Sequence, residues 1–417
     1  MTALWSEHKL GDLIQINPDT LNKTYPYSEI EYLDITSVRT GFYTEVRRLK
    51  LEEAPSRAKR LVSDGDTIIS TVRPGNKSYC FLKKTTPKMV VSTGFAVLRA
   101  KKDLLDERFL YYLVSNPSFT EYLVAHEKGA AYPAVGIETL ENAVVSIPDL
   151  STQKKISDVL GSLDDKIELN RRINETLEQM AMALYKHWFV DFGPFQDGEF
   201  VESEMGMIPQ GWTVQQLGDL VSIQTSSINP ARNEKSLFLH YSIPAYDEKK
   251  LPKLEKGSEI KSNKYIIRRN SILVSKLNPE TYRIWTVFAE PSQYERICST
   301  EFIVYEPKNE NTWAFLNAYL RDEPFKNEFR SHAAGTTGSR QRVSPRKTLE
   351  FKLIVPPDSV LEQFNRICSD YFKIQHKNTS ENEILTDIRD YLLPRLLSGE
   401  IEVREAEEQV EEVLANG

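Results

Sequence analysis

Two stretches of the sequence have apolar residues that recur alternately every three and four positions, the heptad spacing typical of helices that pair along one face. The first follows the series Ile156, Leu160, Leu163, Ile167, Asn170, Asn174, Leu177, Ala181, Leu184 and Trp188. The second follows the series Ile367, Tyr371, Ile374, Asn378, Glu381, Leu385, Ile388 and Leu392. Each predicts a helix of about 35 to 40 residues, or about 55 Å.

The first predicted helix carries the chain away from the residues before it, and the second must carry the chain back. We therefore expect the two helices to pair as an antiparallel coiled coil. Polar residues in the middle of both series lower the stability of a dry seam, but they can fix the register of a pair. The alternative is that each helix packs on its own globular domain, which fits the length of the helices less well.

Short runs rich in β-branched residues and bounded by turn residues predict strands in the rest of the chain. Residues 66–74 and 270–279 are such runs, and their sequences resemble each other. Each half then ends on a strand, closing at Ile147-Pro148 or Val355-Pro356, that leads into a helical series. The pattern predicts a mixed α/β (α+β) fold for each half.

The two halves of the chain are copies of one module. Three motifs occur twice at one constant separation: W-x4-L-G-D-L at Trp5 and Trp212, S-T-x-F-x-V at Ser92 and Ser299, and Y-L-x3-P at Tyr112 and Tyr319. So long a period indicates a duplicated domain and excludes the short unit of a solenoid. Two copies of one domain imply two similar sites and an approximate two-fold relation.

The composition is that of a soluble chain with room for two or three domains, since it has 417 residues of which 40% are hydrophobic and 27% are charged. The net charge of -7 arises mainly in residues 400–417, where seven glutamates accompany one basic residue, Arg404. Local patches, and not the total charge, determine contacts with phosphate. The acidic balance therefore does not exclude DNA as a ligand.

The sequence offers no sign of a membrane or secreted protein. No run of about 20 apolar residues predicts a membrane span, and Glu7 and Lys9 stand where a signal peptide would be apolar. The cysteines, Cys80, Cys298 and Cys368, form no C-x-x-C pair for zinc or redox chemistry. We expect a cytoplasmic protein with no membrane partner and no metal site.

No catalytic motif is recognisable in the chain. The phosphate loop, the dinucleotide motif and the H-E-x-x-H helix are all missing, and the six histidines stand singly. An enzymatic alternative is a nuclease that uses Asp64 and Asp66 or the pair Asp164-Asp165, but Asp64-Gly65-Asp66 is better explained as a turn before a strand. We therefore expect a noncatalytic chain without a cofactor of its own.

The clearest candidates for nucleic-acid contact lie in a loop of the second copy. Residues 331–349 include two glycines, several basic residues and no acidic residue. Such a loop can bring backbone amides and guanidinium groups against phosphates or guanine edges, although a solvated surface loop is the alternative. The corresponding residues 128–133 of the first copy are almost uncharged, so the two copies should recognise different sequences.

Further candidates have hydrogen-bond donors or stacking faces near the predicted strand ends. The full set of candidate DNA-binding residues is Arg73, Lys77, Tyr79 and Tyr132 in the first copy, and Lys276, Asn278, Tyr282, Arg283, Thr336, Thr337, Ser339, Arg340, Arg342 and Arg346 in the second.

Four motifs mark the two halves. The W-x4-L-G-D-L openings and the Ile/Val-Pro exits, which are followed by Gln153 or Gln363 and a long helix, occur in both halves. The entry G-M-I-P-Q-G-W at 206–212 belongs to the second half, and the run G-D-T-I-I-S at 65–70 belongs to the first. In this combination the sequence resembles the specificity subunit of type I restriction-modification systems. The resemblance covers the chain up to about Val403.

The resemblance implies two α/β target recognition domains at 1–150 and 211–357, conserved spacer helices at 151–190 and 358–399, a linker at 191–210 and an acidic tail at 400–417. The linker is expected to be a loop, and the tail a solvated helix or a disordered end. The helix residues expected to face each other or partner subunits are Ile156, Leu160, Leu163, Ile167, Leu177, Leu184, Ile367, Ile374, Leu385 and Ile388.

The resemblance also implies partners. These are double-stranded DNA, two modification (methyltransferase) subunits that bring S-adenosylmethionine, and restriction subunits that add translocation and cleavage driven by ATP with magnesium. The target would be asymmetric and bipartite, with N6-methyladenine as the product. A structural alternative is a coiled-coil adaptor whose two domains bind proteins, which predicts no sequence-specific DNA binding in any assembly.

Overall fold

The computed structural model describes residues 5–129, 133–335 and 341–416. The chain forms two compact units, the first of residues 1–168 with 381–417 and the second of residues 169–380. The helices are α1 (Leu10–Leu13), α2 (Glu107–Ser115), α3 (Pro117–Ala125), α4 (Ile137–Glu141), α5 (Leu150–Tyr185), α6 (Leu217–Leu220), α7 (Ile243–Lys249), α8 (Trp313–Tyr319), α9 (Glu323–Ser331), α10 (Pro345–Thr348), α11 (Asp358–Ser398) and α12 (Val403–Asn416). A π-helix, Lys186–Val190, continues α5.

The first unit contains two four-stranded sheets and a two-stranded one. Its strands are β1 (Ser6–Lys9), β2 (Ile14–Ile16), β3 (Glu29–Leu33), β4 (Arg47–Lys50), β5 (Ala58–Leu61), β6 (Thr67–Ser70), β7 (Tyr79–Phe81), β8 (Met89–Ser92), β9 (Phe95–Ala100) and β10 (Val144–Ile147). The strand orders are β2-β9-β6-β7, β4-β3-β8-β5 and β1-β10, and all pairs are antiparallel except β3 with β8.

The second unit repeats this arrangement. Its strands are β11 (Phe200–Ser203), β12 (Gly206–Pro209), β13 (Thr213–Gln216), β14 (Val221–Ile223), β15 (Ser227–Ile228), β16 (Leu237–Tyr241), β17 (Lys253–Lys256), β18 (Lys264–Ile267), β19 (Ser271–Ser275), β20 (Ile284–Val287), β21 (Glu295–Ser299), β22 (Phe302–Pro307), β23 (Ala333–Ala334), β24 (Arg342–Val343) and β25 (Lys352–Val355). The sheets run β14-β22-β19-β20, β15-β18-β21-β16-β17 and β13-β25, with β16 and β21 again parallel. This shared topology confirms the duplication.

A strand buried on both faces lies at the centre of each unit, which explains its continuous β-branched sequence. In β6, Ile69 packs into the core that includes the helices, while Ile68 packs into the core between the two larger sheets. In β19, Ile272 and Leu273 divide between two cores in the same way. The loops that follow these two strands are thereby held on a rigid base.

The long helices pair in antiparallel fashion within the first unit. Arg389 Nη1 of α11 donates to Asp164 Oδ1 of α5 (2.8 Å), and Asn382 Nδ2 donates to the carbonyl of Ile167 (3.3 Å). Residue numbers therefore rise along one helix as they fall along the other. In the same unit Ile156, Leu160, Leu163, Leu385 and Leu392 share one core with the sheet and α2, so the helices pack both on each other and on their domain.

The second unit also contains an antiparallel helix pair. Asn378 Nδ2 donates to Asn174 Oδ1 (2.9 Å), and Gln375 Nε2 donates to the carbonyl of Asn174 (2.9 Å). Farther along, the rings of Phe189 and Phe364 meet with centroids 4.8 Å apart. The polar residues of the predicted seam thus bond to each other, and such pairing stabilises one register over its alternatives.

One residue of the predicted apolar seam, Ile374, is exposed in the structure. Ile374 is 42% exposed, whereas Phe372 and Asn378 on the same helix are buried. The covered face shifts here because α11 also packs against the body of its domain, where Phe364, Cys368 and Phe372 enter the core. Ile374 is therefore not covered within the described structure, and the expectation that it faces a partner subunit stays a prediction. The remaining seam residues, Ile167, Leu177, Leu184, Ile367 and Ile388, are half-buried.

The linker and the C-terminal tail both contain regular structure. The linker at 191–210 contains the antiparallel hairpin of β11 and β12 instead of forming only a loop. Residues 403–416 form α12, in which Ala406 and Val410 are buried in the core of the first unit while the glutamates at 405, 407, 408, 411 and 412 are exposed. The tail is therefore an amphipathic helix packed on its domain, because its few apolar residues share one face.

Candidate nucleic-acid interface

Three segments of the first unit meet beside the end of the central strand β6. The tip of a turn at residues 37–44 contacts the β6–β7 loop, because the Gly41 amide donates to the carbonyl of Tyr79 (2.9 Å) and Thr40 Oγ1 donates to that of Lys77 (3.1 Å). On the other side, the Arg73 amide donates to the carbonyl of Pro133 (2.9 Å). These backbone contacts place Arg73 and Lys77 between two further loops.

The β6–β7 loop has an unusual backbone. Arg73 (φ 48°) and Lys77 (φ 53°) both adopt the left-handed conformation, which costs free energy for residues with a side chain. Pro74 between them is buried, while Arg73 and Lys77 are exposed. Such strain persists only where the surroundings impose it, and it often occurs at ligand contacts.

The second unit builds the same frame with different side chains. Asn278 (φ 51°) follows β19 as Arg73 follows β6, and its amide donates to the carbonyl of Gln341 (2.9 Å). The Val343 amide donates to the carbonyl of Lys276 (3.1 Å). The structure thus brings the candidates Lys276 and Asn278 beside the base of the basic loop that begins after β23.

Two of the predicted DNA-stacking residues have a structural role instead. The Tyr79 hydroxyl donates to the carbonyl of Ser115 (3.3 Å), and burial raises the pKa of Tyr79 to about 12. The Tyr282 hydroxyl likewise donates to the carbonyl of Leu320 (2.6 Å), and burial raises its pKa well above the usual value. Tyr79 is buried and Tyr282 half-buried, so their rings support the loops and are not presented for stacking on bases.

The predicted cationic residues differ in how they are paired. Arg283 makes a two-point ion pair with Asp247 (2.6 and 2.9 Å), and Arg342 makes one with Glu301 (3.0 Å for each contact). In contrast, Lys77, Lys276 and Arg346 form no ion pair with any residue that the structure describes. The positive charges of Lys77, Lys276 and Arg346 are therefore available for a phosphate.

Five candidates, Tyr132, Thr336, Thr337, Ser339 and Arg340, lie outside the described residues.

Sequence reasoning missed the segments that flank the β6–β7 and β19–β20 loops. In the first unit this is the turn at 37–44, where Val38 pairs with Tyr43 and the Arg39 amide donates to the carbonyl of Phe42 (2.8 Å). In the second unit it is α7, which supplies Asp247 to Arg283. In the first unit Gly41 was the available signal for a tight turn, since glycine adopts the positive φ that such turns need.

The carboxylates that a nuclease would need are engaged in structural contacts. Arg99 Nε and Nη2 donate to the two oxygens of the buried Asp66 carboxylate (2.8 Å each), and Asp64 accepts from the Thr85 amide (2.6 Å). Asp164 accepts from Tyr112 (2.8 Å) as well as from Arg389. Across residues 5–129, 133–335 and 341–416, no cluster of His, Cys, Asp and Glu could hold a metal ion.

The sequence matches the family profile described as "Type I restriction modification DNA specificity domain" twice, over residues 3–179 and 209–386. The chain belongs to this family. Both copies of the module are matched, which agrees with the repeat and with the shared topology of the two units. As a specificity subunit of a type I restriction-modification system, the chain has a role in DNA recognition.

Similar proteins support the family over nearly the whole chain. The specificity subunit of the type I restriction enzyme HindI from Haemophilus influenzae is 27% identical, over 95% of this chain and 99% of that protein. The specificity subunit of MjaIX from Methanocaldococcus jannaschii is 28% identical, over 96% of this chain and 94% of that protein. The crystal structure of the type I system S subunit from M. genitalium aligns over 94% of this chain and 96% of that chain, with a TM-score of 0.55 and 16% identity.

The likeness to that crystal structure confirms the predicted fold class, in which repeated α/β domains are accompanied by long helices. Among the helices of the described residues, none is both long enough and apolar enough to cross a membrane.

Proposed function

We propose that this specificity subunit recognises an asymmetric bipartite target in double-stranded DNA, with one part recognised by each unit. The observation that supports this most strongly is that one backbone frame occurs twice with different side chains. Arg73 and Lys77 follow β6, where Lys276 and Asn278 follow β19. Two equal frames with equal side chains would predict a symmetric target, and these side chains are not equal.

The proposed contacts divide into two chemical classes. Lys77, Lys276 and Arg346 act as phosphate contacts, because each is a cation without an ion-pair partner in the described structure. Asn278 is a base contact, since a side-chain amide can bond N6 and N7 on the major-groove edge of adenine at once. Arg283 and Arg342 form ion pairs with Asp247 and Glu301, so neither is assigned to a class. To contact DNA, each would have to break its ion pair. Arg73 lies on the strained β6–β7 loop and is assigned to neither class.

The two long helices act as the spacer of the bipartite target. Each of α5 and α11 contributes residues to both units, so both helices connect one unit to the other. The length of the nonspecific gap then follows from the helices, as half-site spacing follows geometry in dimeric DNA-binding proteins. Insertion of residues at Lys166 should change the gap and leave the recognised bases unchanged.

The subunit itself is noncatalytic in this proposal and works in the cytoplasm. Two methyltransferase subunits and the restriction subunits assemble on it and supply S-adenosylmethionine, ATP and magnesium chemistry. The carboxylates Asp66 and Asp164 support this division of labour, since they are occupied by Arg99 and Arg389. Exposed apolar residues such as Leu169, Ile173 and Ile384 provide surface for such partners.

The test is single-molecule methylation mapping of plasmid DNA from cells that express the chain with its neighbouring methyltransferase gene. The expected result is a methylated bipartite adenine motif that is lost when the chain is omitted. The contradicting result is the absence of any new motif although the proteins are soluble and associated. That result would favour the adaptor alternative, in which the two units bind proteins only.

A further inference from the structure

We propose that Arg39 is a base-recognising residue of the first unit, presented by the hairpin at residues 37–44. This inference rests on the proposed function and assigns one contact within it. Arg39 belongs to none of the motifs that identify the family, and it lies in the connection between β3 and β4, far in sequence from Arg73.

The hairpin is a rigid support for a side chain. Val38 pairs with Tyr43, and the Arg39 and Thr44 amides donate to the carbonyls of Phe42 (2.8 Å) and Ser37 (2.9 Å). The turn residues are Thr40 and Gly41, and Gly41 has a φ of 85° that suits glycine.

The hairpin tip is fixed to the loop that contains Arg73 and Lys77. Thr40 pairs with Tyr79 as a parallel bridge, and Thr40 Oγ1 donates to the carbonyl of Lys77 (3.1 Å). A Cβ atom added to Gly41 would stand 3.0 Å from the Tyr111 hydroxyl, so the tip fits closely against the domain. Arg39 is therefore held one residue from a docked turn and beside the strained loop.

The guanidinium group of Arg39 is oriented before DNA arrives. Its Nη1 atom donates to the carbonyls of Thr36 (2.6 Å) and Val38 (3.3 Å), which occupies one end of the group. Arg39 is exposed and forms no ion pair with any described residue. The edge formed by Nε and Nη2 makes no hydrogen bond within the described part of the chain, and it has the two-donor geometry that matches O6 and N7 of guanine.

Orientation is the reason to assign a base and not a phosphate. A phosphate contact tolerates a mobile cation such as Lys77, whereas a two-point contact with a base edge requires a fixed direction. The second unit places α7 in the equivalent connection, between β16 and β17, and α7 offers the carboxylate of Asp247 to Arg283. The equivalent connections thus differ in structure and in their side chains, since the first presents an arginine without an ion pair in the described structure and the second uses a carboxylate to hold Arg283. Such a difference is expected if they contribute to recognising different sequences.

The test compares Arg39→Ala, Arg39→Lys and the matched control Arg404→Ala in the full chain, assembled with its methyltransferase subunit. Arg404 is also an exposed arginine, but it lies on the acidic helix α12. Each complex selects from a library of randomised DNA duplexes, and bound sequences are counted. Thermal unfolding of each variant verifies that the fold is kept.

The expected result is loss of preference at a single G·C pair, by about tenfold or more, in one part of the motif only. Arg39→Lys should show the same loss of preference with a smaller loss of total binding, because it keeps the charge but not the two-donor edge. An unchanged motif, or uniform weakening with all preferences intact, would overturn the assignment. A parent complex that selects no motif would refute the proposed function instead, so the two failures are distinguishable.

Discussion

The contact between Arg389 and Asp164 should be the strongest single polar link between the two long helices in the first unit. Arg389 donates to Asp164 at 2.8 Å, and their side chains are only 17% and 16% exposed. Asp164 also accepts from the Tyr112 hydroxyl (2.8 Å), so it joins both helices to α2. Loss of Arg389 would leave a largely buried carboxylate with one neutral donor.

The expected cost follows from that burial. Removal of one partner from a fully buried ion pair costs about 3 to 5 kcal/mol. Since both groups retain some contact with water, we expect about 2 to 3 kcal/mol for Arg389→Met. Asp164→Asn should cost less, because Arg389 keeps Asp390 as an acceptor (2.7 Å). The coupling in a double-mutant cycle should be about 1 to 2 kcal/mol.

Hydrogen exchange measured by mass spectrometry reports the free energy of local opening for each variant, on peptides from residues 381–398 for the Arg389–Asp164 cycle and from residues 403–416 for the control. The matched control is the cycle at Arg404 and Glu408, a pair 3.8 Å apart whose side chains are 84% and 71% exposed. Its coupling should stay below about 0.5 kcal/mol. A coupling energy for Arg389 and Asp164 no larger than that of the control would contradict this prediction.

Three further predictions concern other parts of the molecule. Gly41→Ala should lower the melting temperature because of the φ of 85° and the nearby Tyr111 hydroxyl, with a cost of about 1 kcal/mol or more, whereas Gly136→Ala, with open space at Cβ and a φ of -77°, should not. Val410→Ala in α12 should destabilise the first unit by about 1 to 3 kcal/mol in urea unfolding, since Val410 is 4% exposed, while Glu407→Gln on the exposed face should have little effect. His240 should make the second unit less stable in acid, because burial lowers its pKa more than Glu255 raises it. The unfolded chain then binds a proton that the folded one does not, so stability falls as the pH drops below about 6.5, and urea unfolding of His240→Gln across that range should show a flatter profile.

Sequence periodicity predicted the large features well because they depend on long, regular patterns. The heptad series predicted the two long helices that the structure shows as α5 and α11, and repeated motifs such as the one at Trp5 and Trp212 predicted two copies of one topology. Ile374 escaped this reasoning because a helix that packs on a partner and on its own domain has two buried faces. A single apolar stripe cannot describe both.

The candidate interface was only partly predictable. The exposed cations Lys77 and Arg346 could be identified from residue type alone. The burial of Tyr79 could not, since an aromatic residue at a strand end can face either the core or the solvent. The position of the 37–44 hairpin beside the β6–β7 loop depends on a contact between Thr40 and Lys77, which are distant in sequence. Tertiary packing, and not local pattern, decided these cases.

Bipartite recognition by the two units is tested most directly by the sequence that the full chain, assembled with its methyltransferase subunit, selects from randomised DNA duplexes. We predict one enriched motif with two unlike parts at a constant separation, between which no base is preferred. We also predict that Lys276→Ala combined with Arg346→Ala weakens binding with little change in the motif. No enriched sequence, or one uninterrupted block of preferred bases, would contradict the claim that each unit recognises its own part of the target.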